Sequence, residues 1–173
     1  MPSVKKISRL NLPTCIFCLV LALFFLVFSA NPSFGTSPLT YECVYKSSVK
    51  FQVPLAMILV ILDTERGSIG YERVNSNGSY DLGPMQINTL WLPALAKLGI
   101  TKETLRDNGC VNVAVGAWIL RYHLNRTQDP LKAISHYHSQ NPTRQKIYLN
   151  LVLERLRKLE VSKTLQFANG KKS

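Results

Sequence analysis

Residues 54–88 read PLAMILVILDTERGSIGYERVNSNGSYDLGPMQIN, and the fold turns on how this stretch is read. Leu55 to Leu62 is apolar at eight successive positions, behind a proline placed where a first helical turn tolerates one. A helix that is apolar on every side has to be buried. The run passes into Asp63-Thr64-Glu65 and stops near Gly67. Asn75 to Ser79 is then a turn cluster whose Asn-Gly pair suits a hairpin, so the chain is expected to leave helix for a small strand-turn-strand flap between Gly70 and Asn88. Glu65, at the end of an oily helix, is expected at the rim of the core. Desolvation disfavours a carboxylate anion, and that is how a glutamate becomes a proton donor near neutral pH. Taken alone, a glutamate at a helix end is more often a solvated charge.

On either side of this stretch the pattern is helical. Tyr41 to Lys50 is short and amphipathic. Thr89 to Leu98 ends at Gly99, and Thr101 to Asp107 is a short helix capped by Thr101, with Thr104 too polar to pack. Cys110 to Leu124 is a stronger helix with Val113, Ala117, Leu120 and Leu124 on one side. Asp129-Pro130 opens a helix to about Ser139, and Asn141-Pro142 opens a last one to about Leu159. Lys146, Arg155, Arg157 and Lys158, set among Glu154 and Glu160, make that last helix a mostly solvated mixed face. The expected class is α+β, predominantly α-helical, with a small β-hairpin flap.

The chain has 173 residues, 21 Lys and Arg against 10 Asp and Glu, and a hydrophobic fraction of 46%. That supports one packed domain plus an extra segment, and excludes global disorder. Nine glycines and nine prolines without a period exclude a collagen-like chain, and no repeat stands out. The extra segment is N-terminal. Lys5, Lys6 and Arg9 precede 14 unbroken apolar residues from Cys15 to Phe28, followed by small and turn-forming residues. Residues 1–35 therefore read as a secretory signal peptide, the apolar run being short of the roughly 17–25 residues that span a bilayer. An uncleaved anchor is the alternative. Residues 36–160 form the domain, and 161–173 read as a basic, flexible tail.

All ten acids and all but three of the cations lie beyond residue 35, so the exported domain is itself basic and drawn to anionic polymers. No aromatic-interleaved basic groove is readable, which argues against nucleic acid. Cys15 and Cys18 fall inside the apolar run, leaving Cys43 and Cys110. An even pair in an oxidising compartment reads as one disulfide, the alternative being two buried thiols. Closing a loop of about 68 residues, it is worth at most about 4 kcal/mol in the chain-entropy model. His123, His136 and His138 have no thiol or acidic cluster near them, so no metal site and no cofactor is expected. Trp91 and Trp118 read as core. Asp63, two residues from Glu65, lies on a different helix face.

Ten residues after Glu65, the segment from Asn75 to Asn88 resembles the signature shared by lysozymes and the lytic transglycosylases of the soluble-lysozyme-like superfamily. In that pattern a helix ends in the catalytic Glu, and a flap of form N-x-x-G-S-x-D-x-G-x-x-Q-I-N follows. Asn75, Gly78, Ser79, Asp81, Gly83, Gln86, Ile87 and Asn88 occupy every literal position. Ala133 to His138 is similar to the family's Ala-x-x-x-Tyr-Asn element, with Tyr137 at the cleft. Cys110-Val111-Asn112-Val113 is similar to the Cys-x-Asn-Ile start of a core helix in small secreted members. The chain departs from the pattern at Arg66, Pro84 and His138.

The resemblance implies a lysozyme-like fold and cleavage of the β-1,4 bond between N-acetylmuramic acid and N-acetylglucosamine in peptidoglycan, leaving a 1,6-anhydro end. It implies Glu65 as general acid and base. It places Asp81 where animal-type lysozymes carry a second catalytic carboxylate, the alternative being support of the flap turn. Gln86 and Asn88 are expected to bind sugar hydroxyls or amides or to satisfy the turn, and Tyr137 to hydrogen-bond Glu65 or stack on a sugar. The partners implied are glycan strands and the envelope-spanning machinery of secretion, conjugation or pili, in the periplasm. A muramidase hydrolysing the same bond and an inactive wall-binding assembly factor are the rivals.

Overall fold

The computed structural model describes residues 36–170; the expected signal segment at 1–35 lies outside the described residues. Helix α1, Tyr41–Phe51, starts where the Thr40 hydroxyl accepts the Cys43 backbone N–H, and ends at Gln52 in the left-handed region. Helix α2, Leu55–Glu65, is the apolar run. Met57, Ile58, Val60 and Ile61 are buried, while Leu59 is left exposed, so the helix is wrapped on most but not all sides.

The flap has one strand more than a hairpin. Strands β1 (Glu72–Val74), β2 (Tyr80–Leu82) and β3 (Ile87–Asn88) form an antiparallel sheet in that order. The third strand exists because Gly83 and Gln86 both take positive φ, at 65° and 50°, which turns the chain back on itself within four residues. In the resulting register Arg73 stands opposite Asp81 and Asp81 opposite Asn88. Three polar side chains thus share one row on one face. In the neighbouring row Leu82 and Ile87 face the core.

Beyond the sheet, the expected single helix from Thr89 is a 3-10 turn (Thr89–Trp91), a four-residue helix α3 (Leu92–Leu95) and a second 3-10 turn (Ala96–Leu98) that ends at Gly99. Helix α4, Lys102–Asp107, is capped by Thr101 as expected, but Thr104 is buried. Its hydroxyl lies 3.2 Å from that of Thr101, which satisfies it. Helix α5, Gly109–Thr127, carries Val113, Ala117 and Leu120 into the core against α2. Helix α6, Pro130–His138, and helix α7, Pro142–Gly170, complete the chain, α7 running past the expected stop near Leu159. The architecture is the α+β, mostly helical, lysozyme-like one. Among the described residues no helix is long and apolar enough to cross a membrane.

Cys43 and Cys110 are joined, tying α1 to the first turn of α5 with the Cα atoms 5.1 Å apart. The loop this closes contains α2, the sheet and α4. Reducing the bond, or replacing both cysteines by serine, is expected to lower unfolding stability by up to about 4 kcal/mol, read as a reduced urea midpoint.

Candidate active site

Glu65 is the last residue of α2, and the two residues after it hold it in place. Arg66 takes the left-handed conformation at φ 51° and gives its N–H to Leu62 O, closing the helix. Gly67 then packs so tightly on the flap that a Cβ would run into the Gly83 carbonyl and the Gln86 amide. The helix end and the flap turn therefore meet at backbone distance. The Glu65 side chain is 7% exposed, and Tyr148 of α7 donates to its Oε1 at 2.7 Å. His138 Nδ1 lies 3.6 Å from the same oxygen, and the His138 ring stacks on Tyr148 with centroids 4.1 Å apart. Burial, and then the Glu65 charge and hydrogen bond, push the Tyr148 phenol well above its ordinary range, so it stays a donor. Arg66, the cation beside Glu65 in the chain, is exposed and screened by solvent.

Glu65 sits between two openings. The larger, about 520 Å³, is also lined by Asp81, Gln86, Asn88, Trp91 and Tyr137. The smaller, about 230 Å³, lies between Glu65 and α7, bordered by Arg73, Arg144, Ile147 and Leu151.

The register of the sheet brings Asp81 and Asn88 into the larger cleft but engages both. Asp81 is 12% exposed, with one oxygen 2.8 Å from the Arg73 guanidinium and the other accepting from Asn88 Nδ2 at 2.7 Å. The Asn88 amide nitrogen also donates to Ser79 Oγ, and its oxygen caps the 3-10 turn through Leu90 N–H. Asp81 is tied to side chains on the neighbouring strands and not to the backbone N–H groups of the Asn-Gly turn. Gln86 is buried with its Nε2 on Gly83 O at 2.9 Å, satisfying the turn that its own backbone helps to make.

Tyr137 does not make the first of its two expected contacts. Its hydroxyl donates to Met85 O at 2.9 Å, not to Glu65, and so clamps the flap turn to α6. Its ring lines the cleft. Tyr148, 83 residues from Glu65 in the chain, makes the contact expected of Tyr137. Trp91 packs against the core as expected, with Trp118 edge-on to it at 5.4 Å, and it also lines the cleft.

Behind the site stands Asn112 of α5, fully buried. Its Oδ1 accepts from Met85 N–H at 2.8 Å, and its Nδ2 donates to Leu82 O and Leu105 O, both at 2.9 Å. One side chain thereby joins the flap to α4 and α5. Among the described residues no three His, Cys, Asp or Glu side chains are grouped to hold a metal ion.

A buried carboxyl beside a tyrosine donor, in an open cleft roofed by a hydrogen-bonded flap, can deliver a proton to a bound ligand. The chain is similar to the "Peptidoglycan-binding-like protein" of Escherichia coli O157:H7, 36% identical over 98 residues, which are 54% of this chain and 59% of that protein. It is similar to "Invasion protein IagB" of Salmonella typhimurium (strain SL1344), 31% identical over 127 residues, 69% of this chain and 78% of the relative. "Protein IpgF" of Shigella sonnei is 26% identical over 106 residues, 61% and 70% of the two chains. Residues 42–147, most of the described domain and the site up to but not including Tyr148 and Leu151 of α7, match one family model. The chain belongs to the Transglycosylase SLT domain family.

Proposed function

We propose that the protein is a peptidoglycan lytic transglycosylase that cuts the MurNAc-β-1,4-GlcNAc bond and leaves a 1,6-anhydro end, with Glu65 as general acid and then general base. The observation that carries this reading is the Glu65 carboxyl, shielded from water and held by Tyr148 at the meeting of two open cavities. A bound strand can run past it on both sides.

In this mechanism protonated Glu65 gives its proton to the glycosidic oxygen while the bond to C1 breaks toward an oxocarbenium-like state. The substrate's own N-acetyl group supports the cation. The Glu65 carboxylate then takes the proton of the 6-hydroxyl, and O6 closes on C1. The acid is regenerated and no water is consumed. The ties on Asp81 support the lyase over the muramidase, because a nucleophilic Asp81 must first give up Arg73 and Asn88. Gln86 and Asn88 face the cleft as polar groups for sugar hydroxyls or amides, with Asn88 also setting the position of Asp81.

Mass analysis of muropeptides released from purified sacculi tests this. Anhydro ends are expected; reducing ends would make the protein a muramidase. No release at all would favour the wall-binding reading that the name of the Escherichia coli relative suggests. Tyr148→Phe is expected to slow release by about ten-fold, the cost of one hydrogen bond to an ionisable group, and to lower the melting temperature by a few degrees because a buried Glu65 oxygen loses its donor. We place the protein in the periplasm, where the wall is, and we propose that it opens the wall locally for an envelope-spanning apparatus, in line with the "invasion" name of one relative.

A further inference from the structure

The larger cleft continues past His136. Trp91, His123, His136 and Gln140 line it and also line an annex of about 360 Å³, to whose lining Tyr122 and Arg126 are added. Glu65 does not border the annex, and none of the residues lining it is acidic.

The annex is built from regular structure. Asn88 caps the 3-10 turn that carries Trp91, and α5 supplies Tyr122, His123 and Arg126 over about one turn. Trp91 is held by edge contacts to Trp118, Tyr122 and His123, at 5.4, 5.6 and 6.3 Å between ring centroids. The Arg126 guanidinium lies over the Tyr122 ring at 5.4 Å. Burial first, then His136 and Arg126, pull the His123 imidazole down to about 4. His123 is therefore a neutral hydrogen-bonding group at neutral pH, and the Arg126 guanidinium makes this corner of the molecule hospitable to an anion.

An indole and a guanidinium on the lining of one small cavity match a sugar that carries a carboxylate. Apolar C–H groups of a pyranose face pack on an aromatic ring, and a carboxylate takes a charge-assisted hydrogen bond from a guanidinium. We infer that the annex is a distal subsite for a muramic-type unit of the glycan strand, with the sugar ring on Trp91 and the carboxylate on Arg126. This rests on the reading of the cleft as a glycan site. The carboxylate can be the lactyl group of a bare strand or belong to the stem peptide attached there.

Isothermal titration with the full-chain Glu65→Gln variant tests the subsite without turnover. Three hexasaccharide probes are used: N-acetylglucosamine only, alternating muramic glycan stripped of stems by an amidase, and the same glycan with stems. One or both muramic probes are expected to bind about ten-fold tighter than the plain hexamer, the size of one charge-assisted hydrogen bond at a partly wet site. A gain with the stripped glycan assigns the lactyl carboxylate, and a gain only with stems assigns the peptide. Adding Arg126→Ala should erase the gain, Arg126→Lys should keep part of it, and Trp91→Ala should weaken all three probes. Equal affinity for the three probes, or a gain that survives Arg126→Ala, overturns the subsite. The readout is binding by an inactive variant, so a parent protein that releases no muropeptides leaves this inference standing. A parent that cleaves but shows no Arg126-dependent gain sinks it alone.

Discussion

Glu65→Gln is expected to reduce muropeptide release from sacculi by a factor on the order of 10²–10⁴, the usual range for a positioned general acid and base. The amide keeps the volume of the side chain, and its oxygen can still accept from Tyr148, so the melting temperature should stay close to that of the parent. What is lost is the proton that the leaving oxygen needs and the base that the 6-hydroxyl needs. Glu65→Asp separates proton chemistry from position, because it keeps the acid but withdraws it by one methylene from the Tyr148 hydroxyl at 2.7 Å. An intermediate rate is expected there. Release by Glu65→Gln at the parental rate would remove Glu65 from the mechanism, and with it the reading of the cleft.

Asn112→Ala should cost about 5 kcal/mol of stability, since it strands one buried N–H and two buried carbonyls at about 1–3 kcal/mol each. The melting temperature should fall by roughly 15 °C for a domain of this size. The three stranded groups belong to Met85, Leu82 and Leu105, so the loss falls where the flap meets α4 and α5. Asn112→Leu distinguishes hydrogen bonding from volume. It refills the space but leaves the same three groups unpaired, so it should rescue little. Recovery of the parental midpoint with leucine, in a thermal melt monitored by circular dichroism, would show that Asn112 is only filler.

Much of this architecture was legible from residue order, for reasons that can be named. An eight-residue apolar run has no stable home except the core, and an Asn-Gly pair between short polar segments turns the chain. Together they mark α2, its terminal glutamate and the flap. The third strand was not legible: two residues carry no period, and Ile87–Asn88 pairs only because of the backbone conformations at Gly83 and Gln86. Tyr148 was hidden on a helix whose charges made it read as a solvated face, and only packing of α7 against the end of α2 brings it to Glu65. Trp91 reads as core by residue type, and its place at the cleft depends on the cap by Asn88. Asn112 was visible as part of a pattern, but its three partners are set by tertiary structure. The pairing of Cys43 with Cys110 came from counting cysteines once the compartment was inferred.

The Cys43–Cys110 bond also governs how the protein would come apart under proteolysis. The exposed turn at Asn77-Gly78 lies inside the covalent ring that the bond closes, as does Glu65. A protease that nicks that turn would open the chain without releasing either fragment. The cut would show as two bands only after reduction, and the acid would stay attached to the helix bundle that positions it.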